Sequence, residues 1–283
     1  MVSRSGPVGL PQGAESIAID VTRDVTDRRL IDGVRVVFQA LNPAYHRWAE
    51  DFPGLQRAAI RIAERAGARL VVVDNVYAYG RSYGRPLTEA TPERPHTRKG
   101  RARMIMNSEL WAAHRAGRVE AVAGRAADYF GPDAGLGTVL GDPVITAVRS
   151  GRTARLLGDP DTRHSFGYLP DLAAGLVLLG DHPAAPGRVW HLPADPEPWT
   201  TRAMVTELFR LAGHRPRIRR IPMIMVRAAG LVDRTARELV EMEYEFAEDF
   251  VVDGSAIAAL GATATPVRRA LVDWLTRVGD ADA

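Results

Sequence analysis

The strongest constraint on the fold is an alternation of short apolar runs with amphipathic stretches of helix length. Residues 69–73 (RLVVV) are almost continuously apolar, as expected of a strand buried on both faces. Residues 34–41 (VRVVFQAL) form a second β-branched run, preceded by Asp32-Gly33 and broken by Asn42-Pro43. Further strands are expected at 17–19, 119–123, 154–157 and 189–192. Helical stretches fit 53–66, 101–116, 138–149, 171–179, 202–212 and 266–278, with Gly67 and Gly117 as stops. Residues 1–16, rich in Gly, Pro and Ser, read as a flexible segment, and the last third reads as mainly helical. Strands separated by helices indicate βαβ units and hence an α/β fold with a parallel sheet. No repeat of fixed period is present.

Composition narrows the functional classes. With no cysteine among 283 residues, disulfides, thiolate metal sites and cysteine nucleophiles are excluded. The seven histidines are scattered and none has HExxH spacing, so no metal site is expected. No GxSxG elbow marks a serine hydrolase. The formal net charge is only +3 and no dense basic tract is interleaved with aromatics, so no nucleic-acid partner is expected. No apolar window approaches about 18 residues, and the opening MVSRSGPVGLPQGAES has no apolar signal core. The expectation is a cytoplasmic protein with a small-molecule ligand and no membrane partner; a homodimer remains open.

A dinucleotide-binding sheet opens with a strand, a glycine-rich turn and a helix whose N-terminus receives the pyrophosphate. Gly6, Gly9 and Gly13 imitate the glycines, but Pro7 and Pro11 interrupt them and no helix-length periodic run follows.

From residue 17 onward the chain nevertheless resembles the extended and atypical short-chain dehydrogenases/reductases, the NAD-dependent epimerase/dehydratase family. Ile19-Asp20-Val21-Thr22 is similar to the family's third strand and the acidic residue near adenine. The run from Val36 to Ala40 resembles its fourth strand. Val71 to Gly80 (VVVDNVYAYG) is similar to V-x-x-S-S-x-x-V-Y-G. Arg125 to Pro132 (RAADYFGP) resembles R-x-x-N-x-Y-G-P, and Phe166 to Ala173 (FGYLPDLA) resembles F-x-x-V-x-D-V-A. The resemblance covers roughly residues 17–275. It implies an incomplete Rossmann-like parallel sheet with a smaller, mostly helical C-terminal substrate lobe. The implied parts are a flexible segment (1–16), a truncated core lacking the glycine-rich unit (17–130), and a mixed region holding the substrate lobe and returning core elements (131–283).

The resemblance also implies NAD or NADP for the complete fold, with weak or absent binding here. The cofactor-binding positions it implies are Asp20, Val21, Ala40, Lys99, Arg103 and Arg125. The family's catalytic serine or threonine falls at Asn75, its tyrosine at Lys99 and its lysine at Arg103. Asn75 still donates a hydrogen bond, whereas Arg103 is a poor proton carrier. Lys99 has three readings: a general base if desolvated, an anion or ribose ligand, or a solvated charge. With Arg103 four residues on, it should share one helix face and one ligand-facing surface with Asn75. Asp74, Tyr77 and Tyr79 lie near the end of an expected parallel strand, where such sheets bind ligands, with packing as the alternative. Tyr45 and His46 follow another strand and are substrate-contact candidates, set against turn packing. His164 is a candidate near the mouth of the second lobe, or a structural histidine. Arg149, Arg152, Arg155, Arg163 or Arg188 could contact a pyrophosphate.

Three functions stay open: an NAD(P)-dependent oxidoreductase or epimerase acting on a sugar nucleotide or small carbonyl or hydroxyl compound; a non-catalytic nucleotide or metabolite sensor; and an inactive truncated product.

Overall fold

The computed structural model describes residues 1–6, 10–23 and 25–281; Gly9 of the glycine cluster lies outside them. The chain opens with β1 (Val2–Ser3), β2 (Ile17–Ala18) and β3 (Val36–Gln39), followed by α1 (Trp48–Ala66), β4 (Arg69–Asn75) and α2 (Arg98–Arg115). Next come β5 (Glu120–Ala126), β6 (Asp128–Phe130), α3 (Asp142–Arg149), β7 (Ala154–Leu157), β8 (Arg163–His164) and β9 (Phe166–Tyr168). Then follow α4 (Leu169–Asp181), β10 (Val189–His191), β11 (Trp199–Thr200), α5 (Thr201–Leu211) and β12 (Ile218–Ile221). The chain closes with α6 (Met223–Ala229), α7 (Arg234–Val240), α8 (Ser255–Ala258) and α9 (Val267–Ala281).

The central sheet is parallel, in the order β10-β5-β4-β3. Its middle strands are covered on both sides, which is why residues 69–73 are apolar without alternation. Leu70, Val72, Ala121 and Ala123 face Ala59, Ile60 and Ala63 of α1 and Leu110 and Ala113 of α2. Val71 and Val122 face Leu172 and Leu179 of α4, Trp190 and Ile257. Each large aliphatic chain buried here contributes about 1.5–3 kcal/mol relative to exposure. This is the Rossmann-like α/β core. A second core, in a mostly helical C-terminal lobe, joins α3, α5 and α9 around Phe130, Leu156, Phe209 and Trp274.

The sheet ends at β3. The β1–β2 pair is parallel but forms its own two-stranded sheet, and among the described residues no helix precedes Asp20. Ile17 and Val21 pack with Ala58 and Ile62 of α1.

Several boundaries differ from the sequence expectation. Strand β1 lies inside the segment expected to be unstructured. Helix α1 starts five residues before Pro53, because Trp48 and Phe52 gain burial beside Met106. Strand β4 continues through Asn75 rather than ending at residue 73. The region after residue 216 holds strand β12, parallel to β7, and only short helices before α9.

Candidate functional site

The candidate site lies where β4 ends and α2 begins. Asn75 closes β4, and its side-chain oxygen accepts from the Tyr77 backbone N–H at 3.3 Å, capping the 3₁₀ turn Val76–Ala78. The turn abuts α2. Thr97 caps that helix by accepting from the Gly100 N–H at 3.0 Å. Gly100 is required there, since a Cβ would stand 2.4 Å from the Tyr77 carbonyl oxygen. This close approach carries Lys99 and Arg103 into the protein.

Lys99 is only 1% exposed, so the solvated-charge reading is wrong. Its ammonium donates to Glu238 and, at 3.1 Å, to Glu241 Oε2, both carried by or just after α7. It also sits 4.4 Å from the centre of the Tyr45 ring. The neighbouring Arg98 donates its backbone N–H to Glu241 and its guanidinium to Glu238 Oε1 at 2.7 Å. Two carboxylates thus fasten α7 to the first turn of α2.

Arg103 points to the same interior but meets different partners. Its guanidinium lies 3.6 Å from Asp74 Oδ1, donates to the Val73 carbonyl at 3.4 Å, and stacks over Phe52 and Trp48. Burial lowers its pKa from the ordinary arginine value, with Asp74 opposing. Asp74 also accepts from Arg125 Nε at 2.8 Å, while Arg125 Nη2 reaches Glu93 at 2.6 Å. Burial acts against the Arg125 charge, yet Asp74, Tyr79 and Glu93 hold its pKa above the ordinary value. Asn107 adds a 2.7 Å bond to Glu93. Asp74, Arg103 and Arg125 therefore form a buried ionic layer beneath the rim.

The phenols are all shifted the same way. Tyr45 and Tyr77 hydroxyls stand 3.4 Å apart, and burial raises the pKa of both, with Glu245 and Asp128 adding to it. Tyr79 turns from the rim: its hydroxyl meets His191 Nε2 at 2.7 Å and its ring lies under Arg125. Burial pushes its pKa up to about 12. A phenolate at neutral pH is disfavoured at each of these positions.

The remaining sequence candidates are spread out. His46 sits half-buried in the 3₁₀ turn Tyr45–Arg47. His164 is buried, 2.9 Å from Asp128 Oδ2 and stacked against Phe246 and Phe250. Asp20 accepts from the Thr22 N–H and hydroxyl, and these bonds lower its pKa from the ordinary carboxylate value. Val21 packs into the core and Ala40 is exposed just after β3. The structure brings together Asn75, Tyr77, Tyr45, Lys99, Arg103 and Asp74; it separates them from Asp20 and His164 by their contacts.

Glu238, Glu241, Glu93 and Glu245 were not found from sequence. Glu238 and Glu241 stand three apart in RELVEME, a helical spacing that puts both on one side. Nothing local links that pair to a lysine 139 positions earlier. Glu245 is almost fully buried, accepts from the Tyr244 hydroxyl at 3.0 Å, and has its pKa raised by burial and by Asp128. Among the described residues there is no cluster suited to a metal ion and no helix long and apolar enough to cross a membrane.

Comparison with known proteins places this geometry in a wider set. The model of the NAD dependent epimerase/dehydratase family matches residues 21–192. An uncharacterized protein of Sinorhizobium fredii, y4nL, is 29% identical over 187 residues, which are 62% of this chain and 51% of that protein. The chain thus spans about half the length of that curated relative. A dTDP-glucose 4,6-dehydratase from Streptomyces venezuelae, solved with NAD and TYD, superposes with a TM-score of 0.70 at 18% identity, covering 93% of this chain and 79% of the other. A UDP-glucuronic acid 4-epimerase from Bacillus cereus, solved with NAD, gives 0.72 at 14% identity, covering 93% and 80%.

Proposed function

This chain belongs to the NAD-dependent epimerase/dehydratase family, and from that premise we propose that it binds a nucleotide or an anionic metabolite at the β4–α2 rim without the family's tyrosine proton transfer. The observation that carries this reading is the state of Lys99 and Arg103. Both are buried, and each is already matched by carboxylates of the chain itself. The nearest phenols, Tyr45 and Tyr77, have raised pKa values. A family enzyme needs a group here that gives up and regains a proton near neutral pH. These residues instead supply positive charge, ring faces and hydroxyl donors.

Fit to NAD or NADP is partial. When bound, such a cofactor supplies hydride transfer. Asn75 and Lys99 could meet a ribose or nicotinamide edge. The pyrophosphate finds no counterpart: Gly6 and Gly13 have φ of 75° and 84°, but no helix N-terminus follows them before Asp20 among the described residues. This chain should therefore hold NAD(P) weakly, as a protein lacking the glycine-rich unit would.

The ligand class on this reading is a sugar nucleotide or a small carbonyl or hydroxyl compound. Calorimetry with NAD⁺, NADPH, UDP-glucose and dTDP-glucose tests it, together with a turnover assay on the same panel. The expected result is binding of a sugar nucleotide, no turnover, and NAD(P) weaker than ~1 μM, or about 8 kcal/mol. Tight NAD(P) binding with turnover would refute it.

One observation favours a second reading, an active NAD(P)-dependent oxidoreductase or epimerase. Lys99, Tyr45 and Tyr77 form a continuous buried chain at the rim. Proton transfer by Lys99 would make Lys99→Met slow in turnover by ~100-fold with affinity intact. A binding role makes the same variant weak in affinity, with no separate chemical defect.

A further inference from the structure

Helix α7 is joined to the protein chiefly by charge. None of its residues whose side chains are described is buried, and α6 buries only Met223 and Val226. The rest of the α6–α7 hairpin faces solvent, including Ile224, Met225, Leu231 and Val232, which are 61–90% exposed. Its inward contacts converge on the first turn of α2, where Glu238 and Glu241 meet Arg98 and Lys99. Beyond the hairpin the chain is anchored again, because Met242 and Tyr244 lie in an apolar cluster with Val76, Leu87 and Phe250. The hairpin thus has a fixed base at each end and an ionic clasp between them.

We propose that α6–α7 is a lid and that Glu238 and Glu241 are a built-in pseudo-ligand, which an anionic ligand displaces from Lys99. This deepens the binding function proposed above and rests on it for the site's occupant.

Electrostatics make the exchange specific. Lys99 is too buried to be left without a counter-ion; an unpaired buried charge costs several kcal/mol. The lid therefore does not simply drift open. It opens when a phosphate or carboxylate takes over the ammonium, and the Arg98 backbone N–H at the helix N-terminus is freed for the same anion. The two glutamates then pass to solvent, where a carboxylate needs no partner. A hairpin with so little buried apolar surface belongs to the least stable part of the fold, so the clasp largely sets its closure. Binding is weakened by the fraction of time the lid is shut. A ligand without an anionic group gains nothing at Lys99 and leaves the lid closed.

The test uses the full chain, inorganic pyrophosphate as probe, and hydrogen exchange read by mass spectrometry over residues 223–241. Pyrophosphate should speed exchange in that segment in the unmodified protein. The double variant Glu238→Gln/Glu241→Gln keeps oxygens that accept from Lys99 but removes both charges. It should exchange faster there without ligand and bind pyrophosphate about tenfold more tightly. The single variant Glu241→Gln should shift both readouts in the same direction by less, and it serves if the double variant does not fold. Unchanged or weaker pyrophosphate binding with unchanged lid exchange would overturn the proposal. If pyrophosphate opens the lid but no sugar nucleotide binds, the lid stands and the proposed function falls. If sugar nucleotides bind with lid exchange unaffected by ligand or variant, the function stands and the lid falls.

Discussion

Replacing Asp74 by alanine should be among the most damaging single changes in this protein, and the cost follows from the ionic layer beneath the rim. The Asp74 side chain is fully inaccessible and faces two guanidiniums whose side chains are 1% and 6% exposed, those of Arg125 and Arg103. Removing one member of a buried pair costs about 3–5 kcal/mol, because the remaining charge keeps its desolvation penalty. Arg125 would retain Glu93, which limits its share. Arg103 would retain only the Val73 carbonyl and the faces of Trp48 and Phe52. A loss of about 4 kcal/mol is expected. At about 2–4 °C per kcal/mol for a chain of this size, Tm should drop by roughly 8–16 °C. Asp74→Asn keeps an accepting oxygen and should fall between the alanine variant and the native protein. Thermal and urea unfolding followed by circular dichroism measure this. A loss below about 1 kcal/mol for Asp74→Ala would mean that the two arginines are not held by this carboxylate, and the reasoning from buried charge would be refuted.

Three further outcomes follow from neighbouring groups. Burial lowers the His191 pKa below the ordinary histidine value of 6.5, so the unfolded chain takes up the proton first. Stability should decline as pH falls below that value, and His191→Gln should flatten this part of the Tm–pH curve. Glu245 has its pKa raised well above the ordinary 4.5, so its contribution is complete below that pH and lost as pH rises. Glu245→Gln should therefore gain Tm relative to the native protein at pH 7 but not at pH 4; an equal difference at both would contradict the assignment. Gly100→Ala would place a Cβ 2.4 Å from the Tyr77 oxygen and push the first turn of α2 away. A loss of about 1–3 kcal/mol in urea unfolding is expected, together with weaker ligand binding through displaced Lys99.

How far the sequence reveals the molecule depends on the length over which a pattern repeats. Residues 69–73 and 154–157 are long enough to display their strand character, and both lie in strands of the structure. The two- and three-residue strands β6, β8, β9 and β11 have no period to read; they exist because tertiary neighbours supply their hydrogen bonds. Lys99 and Arg103 were legible as a pair from i,i+4 spacing, and both do face the interior. Their partners were not, since one set comes from α7 and the other from β4. The expectation that they share an exposed ligand-facing surface met an obstacle invisible in sequence: the chain's own carboxylates already cover it. His164 shows the same limit. Its ring is buried between Phe246 and Phe250, residues more than eighty positions away, and no local spacing announces that stack.

The most direct test of the account is a single-turnover experiment on the native chain and on Lys99→Met, each at a concentration equal to NAD⁺ and UDP-glucose or dTDP-glucose. Reduced nicotinamide is followed by absorbance while calorimetry gives the affinity for the sugar nucleotide. Charge-matched Lys99 and Arg103, with protonated phenols around them, predict measurable sugar-nucleotide binding that weakens in Lys99→Met, and no reduced nicotinamide from either protein. Reduced nicotinamide formed by the native chain, and lost in Lys99→Met with its affinity intact, would contradict the account and make Lys99 a catalytic residue.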